Sequence, residues 1–165
     1  MFHVEKQSGD QLKDYQMLVK QVEAITAGEP DLIANLANAA SLLYHSLSDV
    51  NWAGFYLAKN GELVLGPFHG LPACVRIPSG KGVCGTAFAT GDVQRIADVH
   101  SFPGHIACDA ASQSEIVIPL KVNDEIIGVL DIDSPVKDRF DEIDETYLIQ
   151  FTEVLQKALS ASADA

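Results

Sequence analysis

Three thiols, one tryptophan and a few acidic residues placed on strand patterns are the groups in this chain with chemistry to offer. Cys74, Cys84 and Cys108 are ten and 24 residues apart. Structural zinc takes close pairs such as Cys-x-x-Cys, and only His105 stands near Cys108, so the spacing argues against a metal site. A Cys–His nucleophile for acyl transfer could be drawn from Cys108 with His69 or His105, although no local signature accompanies it. All three thiols fall in a glycine- and proline-rich middle and the loop after it, whereas inert thiols are expected on buried helix or strand positions. That placement favours reactivity. An odd number of thiols also leaves one outside any disulfide. Redox chemistry, in which one thiolate attacks and another resolves the product as a disulfide, accounts for such a set.

The acidic candidates come from strand parity, because side chains at i and i+2 share a face. In the run 129–133, Leu130 and Ile132 point one way while Asp131 and Asp133 point the other. Two carboxylates on one face need a cationic partner or a shifted pKa, unless the strand end is simply solvated. Glu115 shares a face with Val117 and Pro119, and joins the two aspartates if the hairpin register allows it. Trp52, Gly54 and Tyr56 form a third one-face set, which is either core or an aromatic wall for a small cationic group. Gly80-Lys81-Gly82-Val83-Cys84-Gly85 lacks the order of a phosphate-binding loop. His3, His45 and His100 belong to no constellation.

The elements that must hold these groups follow from periodicity. Leu12, Tyr15, Leu18 or Val19, Val22 and Ile25 recur at helical spacing between Asp10 as cap and Gly28. A second helix starts near Pro30, carries Leu32, Leu36, Ala40, Leu43 and Leu47, and ends before Asp49. Residues 50–58 and 62–65 read as strands joined by Asn60-Gly61, a hairpin signal. The stretch 66–91 is turn-rich, with at most a short strand and a short helix. A strand at 93–97 leads into a long connection, 98–113. Strands 115–122 and 125–133 meet at Asn123-Asp124, and Phe140, Ile143, Tyr147, Phe151, Val154 and Leu155 mark a closing helix at about 141–158, with a frayed tail at 160–165. The layout is α+β: a mostly antiparallel sheet of about six strands, helices packed on one face, and the other face left for loops and a ligand.

Composition narrows the function. At 165 residues, 47% of them hydrophobic, the chain reads as a single domain spanning 1–165 with its own core. Eleven basic against 23 acidic residues give a net charge of −12, which disfavours nucleic acid and anionic membranes as partners. No run is long enough to span a membrane, and residues 1–11 lack a secretory core, so a cytoplasmic protein is expected.

Asn51-Trp52-Ala53-Gly54-Phe55-Tyr56, Gly66-Pro67-Phe68-His69-Gly70, the Gly80 to Gly85 run, Ile96-Ala97-Asp98-Val99 and Gly128-Val129-Leu130-Asp131-Ile132-Asp133-Ser134-Pro135 together resemble the free methionine-(R)-sulfoxide reductases, which are single-domain GAF proteins. The resemblance includes all three cysteines. It implies Cys108 as nucleophile, Cys74 as its disulfide partner and Cys84 as a third site thiol. It further implies that Trp52 and Tyr56 wall the sulfoxide methyl group, and that Glu115, Asp131 and Asp133 hold the substrate ammonium and the sulfoxide oxygen. Free methionine-(R)-sulfoxide would be the substrate and thioredoxin the reductant, with a homodimer as the assembly and no metal or other cofactor. The chemistry agrees: a sulfoxide becomes electrophilic once its oxygen is protonated, and clustered carboxylates raise one another's pKa enough to supply that proton. The same carboxylates raise a neighbouring thiol's pKa, so a local donor must compensate. The competing reading is a non-catalytic GAF module that binds a small ligand as a sensor. Such a module is normally fused to an output domain, for which 165 residues leave no room, and it has no need of three loop thiols. A cysteine hydrolase, the third reading, would act without any reductant.

Overall fold

The computed structural model describes residues 2–4, 8–106, 108 and 110–163, the side chains of 161–163 excepted. Helix α1 (Gln11–Thr26) starts where the Asp10 carboxylate accepts the Lys13 N–H at 3.2 Å, and buries Tyr15, Leu18 and Val22. Helix α2 (Leu32–Ser46) is set by Asp31, which accepts the Ala34 N–H at 2.8 Å; Pro30 lies just outside. Helix α4 (Glu142–Ala163) is capped by Asp141, which accepts the Asp144 N–H at 2.9 Å. It runs past the expected end at 158, so residues 160–163 of the expected frayed tail are helical, and 164–165 lie outside the described residues.

Six strands form one antiparallel sheet: β1 (Trp52–Lys59), β2 (Glu62–Gly70), β3 (Arg76–Pro78), β4 (Gln94–Ile96), β5 (Ser114–Val122) and β6 (Glu125–Ser134), in the order β3-β2-β1-β6-β5-β4. Asn60 and Gly61 have φ of 53° and 81°, and Asn123 and Asp124 of 53° and 63°. These left-handed pairs match the tight turns whose twist suits a hairpin. Strand β2 continues five residues past the expected stop because a bulge absorbs Gly66-Pro67: Gly54 pairs with Phe68 and Tyr56 with Leu65, so β2 carries one extra residue there. A proline without an N–H is tolerated where the ladder is already interrupted.

Parity divides the sheet into two faces. Ala53, Phe55, Leu57, Ile116, Ile118, Leu120, Leu130 and Ile132 join the core formed with α1, α2 and α4. Trp52, Tyr56, Val117 and Val129 face the other way and pack with Ile77, Val83, Cys84 and Ala87. Three helices lie on the expected face. The fourth, α3 (Gly82–Thr90), covers the opposite one. Its sequence is apolar or small nearly all round and has no stripe from which an orientation could be read.

Candidate active site

Strand register assembles the acidic site. Asp133 on β6 pairs with Trp52 of β1 on one side and with Glu115 of β5 on the other, while Asp131 lies between Gly54 and Val117. Two adjacent rows across three strands therefore carry all three expected carboxylates and the tryptophan on one face. Gly54 is required here: a Cβ at this position would lie 2.3 Å from the Cβ of Phe68. Without it, Phe68 stacks on Trp52 with centroids 5.1 Å apart, and Trp52 stacks on Tyr56 at 5.9 Å.

The three thiols separate into two kinds. Cys74, on the loop after β2, and Cys108, on the loop 98–113, form a disulfide with Cα atoms 5.3 Å apart, and both are half-buried. Cys84 is free, 4% exposed and on the first turn of α3, so it occupies the kind of buried helix position expected of an inert thiol, against the expectation that all three thiols lie in irregular chain. Its Sγ points at Glu115 Oε2, 3.9 Å away. Burial, followed by the charges of Asp131, Glu115 and Asp133, pushes the Cys84 thiol well up, so it holds its proton.

The polar edges of the aromatic residues are spent on the loop that carries Cys74. The indole Nε1 of Trp52 donates to the Leu71 carbonyl at 3.1 Å, and the hydroxyl of Tyr56 donates to the carbonyl of Cys74 itself at 2.9 Å. Burial raises the Tyr56 pKa, with further contributions from Asp131, Cys84, Asp133 and Glu115, so this donor keeps its proton throughout the physiological range.

Glu115 and Asp131 are 8% and 5% exposed. Burial, then Asp131 and Asp133, holds the Glu115 carboxyl well above its ordinary range, and Asp133 is raised by burial and by Asp131. Asp133 Oδ2 accepts from Ser112 Oγ at 3.3 Å, and that hydroxyl accepts from Asn51 Nδ2 at 3.2 Å. The Oδ1 atoms of Asp131 and Asp133 are buried without a hydrogen-bond partner. Among the described residues, no lysine or arginine forms an ion pair with the trio. A buried anionic group left in that state has a place for a cationic or hydrogen-bond-donating ligand.

All eight residues expected from the sequence surround one cavity except Cys74, which is bonded to its wall through Cys108. Lys81, His105 and Ser112 also line it. Ser112 carried no signal in the sequence, and Lys81 stood in a motif set aside as a phosphate loop. His105 was weighed only as a hydrolase partner; burial, then the neighbouring His100, lowers its pKa, while Asp131 opposes the shift. Cys84, Glu115 and Asp131 can each place one donor atom within 4.8 Å of the others, a grouping that cysteine spacing does not test.

A six-stranded antiparallel sheet with its long helices on one face and a small pocket under a short helix on the other defines a GAF domain. The GAF domain model matches residues 31–159, and the chain belongs to that family. It is 73% identical over 162 residues to protein YtsP of Bacillus subtilis, covering 97% of this chain and 99% of that one. It is 58% identical over 148 residues to the free methionine-R-sulfoxide reductase of Escherichia coli, covering 90% of each. The structure of the free methionine-R-sulfoxide reductase of Neisseria meningitidis in complex with its substrate superposes with a TM-score of 0.95 at 43% identity, over 99% of both chains. Within the GAF family, the chain belongs to the free methionine-R-sulfoxide reductases.

Proposed function

We propose that the protein reduces free L-methionine-(R)-sulfoxide to L-methionine, with Cys108 as nucleophile, Cys74 as resolving thiol and the whole chain acting as one domain. The observation that carries this reading is the Cys74–Cys108 bridge beside a pocket of buried carboxylates, because a disulfide at that place is what the chemistry leaves behind. The unpartnered oxygens of Asp131 and Asp133 take the substrate ammonium, and Trp52 and Tyr56 wall the methyl group. Glu115, kept protonated by burial and its acidic neighbours, gives its proton to the sulfoxide oxygen.

The Cys108 thiolate attacks the activated sulfur, and the sulfur–oxygen bond breaks as hydroxyl passes to Cys108. Methionine leaves with two electrons gained, and Cys108 becomes a sulfenic acid. The Cys74 thiol then displaces water from that sulfenic acid and closes the bridge. An external dithiol, thioredoxin by family likeness, returns two electrons and two protons. Cys84, buried and protonated, attacks nothing and serves as a wall of the pocket. A cytoplasmic homodimer completes the proposal.

The test is a stereospecific assay with dithiothreitol as reductant. The (R) epimer of the free amino acid is expected to disappear and the (S) epimer to persist, with Cys108→Ser inactive. Binding of the (R) epimer without turnover would return the protein to the sensor reading.

A further inference from the structure

We propose that in the disulfide-bridged state Cys84, Glu115 and Asp131 form a binding site for one thiophilic divalent cation of the zinc class. Each residue stands on a regular element, α3, β5 or β6, so the three donors are held by the fold and need no loop to order. Their donor atoms lie within 4.8 Å of one another, and Cys84 Sγ is 3.9 Å from Glu115 Oε2. A tetrahedral zinc with ordinary bond lengths separates a sulfur from an oxygen ligand by about 3.5 Å, so Cys84 and Glu115 have only a few tenths of an ångström to close, and Asp131 lies within 4.8 Å of both.

A second observation is independent of this spacing. Asp131 is 5% exposed and lines the cavity, yet its Oδ1 has no partner. The titratable neighbours outside the trio are Asp133 and, on the cavity wall, Lys81 and His105, and none forms an ion pair with Asp131 among the described residues.

Size selects the occupant. With the bridge closed the cavity measures about 40 Å³. Pockets for small organic ligands start near roughly 300 Å³, whereas a water takes on the order of 10–15 Å³ by the same measure. That space accommodates an ion with one or two waters. Binding replaces the Cys84 S–H bond and any carboxyl O–H bonds with bonds to the ion, and those protons leave to solvent. One thiolate and two carboxylates against a doubly charged ion leave a net charge of −1, and a water completes four-coordination. The ion uses atoms that the reductase reading gives to substrate, so inhibition depends on that reading; the binding does not.

The experiment uses the oxidised protein, in which Cys84 is the free thiol, and titrates cobalt(II) as the probe. A near-ultraviolet thiolate-to-cobalt charge-transfer band is expected, saturating at one ion per chain and reversed by zinc. Cys84→Ser should remove the band, and Asp131→Asn should keep it while weakening binding by about tenfold or more. X-ray absorption of the zinc-loaded wild type, which needs no variant to fold, should give one sulfur and otherwise oxygen neighbours. No charge-transfer band at millimolar cobalt, a shell without sulfur, or Asp131→Asn binding as tightly as wild type would overturn the site. Because no substrate is present, failure here leaves the reductase assay untouched.

Discussion

Asp144 and Asp131 are both buried, at 1% and 5% exposure, on opposite sides of the same sheet. Asp144, at the start of α4, accepts hydrogen bonds from the Arg139 guanidinium at 3.2 Å, from the Asp141 backbone at 2.8 Å and from the Tyr15 hydroxyl. Its charge is paired and its oxygens are filled. Asp131 sits between Glu115, Asp133 and Cys84, with no ion pair and with an empty acceptor. The first arrangement fastens α1 to α4; the second is costly to the fold and useful only when something enters. A buried carboxylate therefore reads as structural or functional according to whether the protein itself completes it.

Substitutions on the two sides should separate these roles, with the largest effect on the helical side. Asp144→Ala leaves Arg139 and Tyr15 without their partner, and should lower unfolding stability by about 3–5 kcal/mol in urea titration, with kcat of the surviving folded fraction unchanged. Loss of activity beyond loss of fold would break the contrast.

Glu115→Gln should do the opposite. It is expected to lower kcat/KM by more than tenfold, a loss above roughly 1.4 kcal/mol, because an amide cannot supply the proton. The folded pKa of Glu115 lies above its unfolded value, so its contribution to stability is complete below the unfolded pKa, about 4.3, and is lost as the pH rises through the raised folded value. Thermal melts at several pH values should accordingly show the wild type losing more stability than Glu115→Gln between mildly acid and alkaline conditions. Parallel pH profiles would place Glu115 with Asp144 as a purely structural group.

Tyr56→Phe gives the smallest effect. It removes one hydrogen bond to the Cys74 carbonyl, worth about 1 kcal/mol. The step that slows should be closure of the bridge, followed as loss of free thiol after a single turnover, rather than release of methionine. Equal slowing of both steps would mean that Tyr56 acts on substrate alone.

Much of this contrast was legible in the sequence. Alternation placed Asp131 and Asp133 opposite Leu130 and Ile132, and Asn60-Gly61 and Asn123-Asp124 marked both hairpins. Register was the missing quantity: that Glu115 and Trp52 flank Asp133 depends on how three strands, distant in the chain, slide against one another. The bulge at Gly66-Pro67 hid the second half of β2, since a proline usually stops a strand. The side of the sheet that α3 covers was equally hidden, and with it the burial of Cys84, because a helix apolar all round gives no direction. Ser112 lies in a long loop with no period. The bonds from Trp52 and Tyr56 to loop carbonyls use backbone acceptors, which leave no trace in residue identity.

The bridge between Cys74 and Cys108 spans a sequence separation of 34. A cross-link of that reach removes chain entropy from the unfolded state worth on the order of 4 kcal/mol. In the proposed cycle every turnover moves the molecule between a stapled and an unstapled chain. A cell short of reducing equivalents accumulates the sturdier form, and a well-supplied cell keeps the more perishable one. On that cycle, resistance to unfolding as well as the rate of catalysis is tied to the supply of electrons.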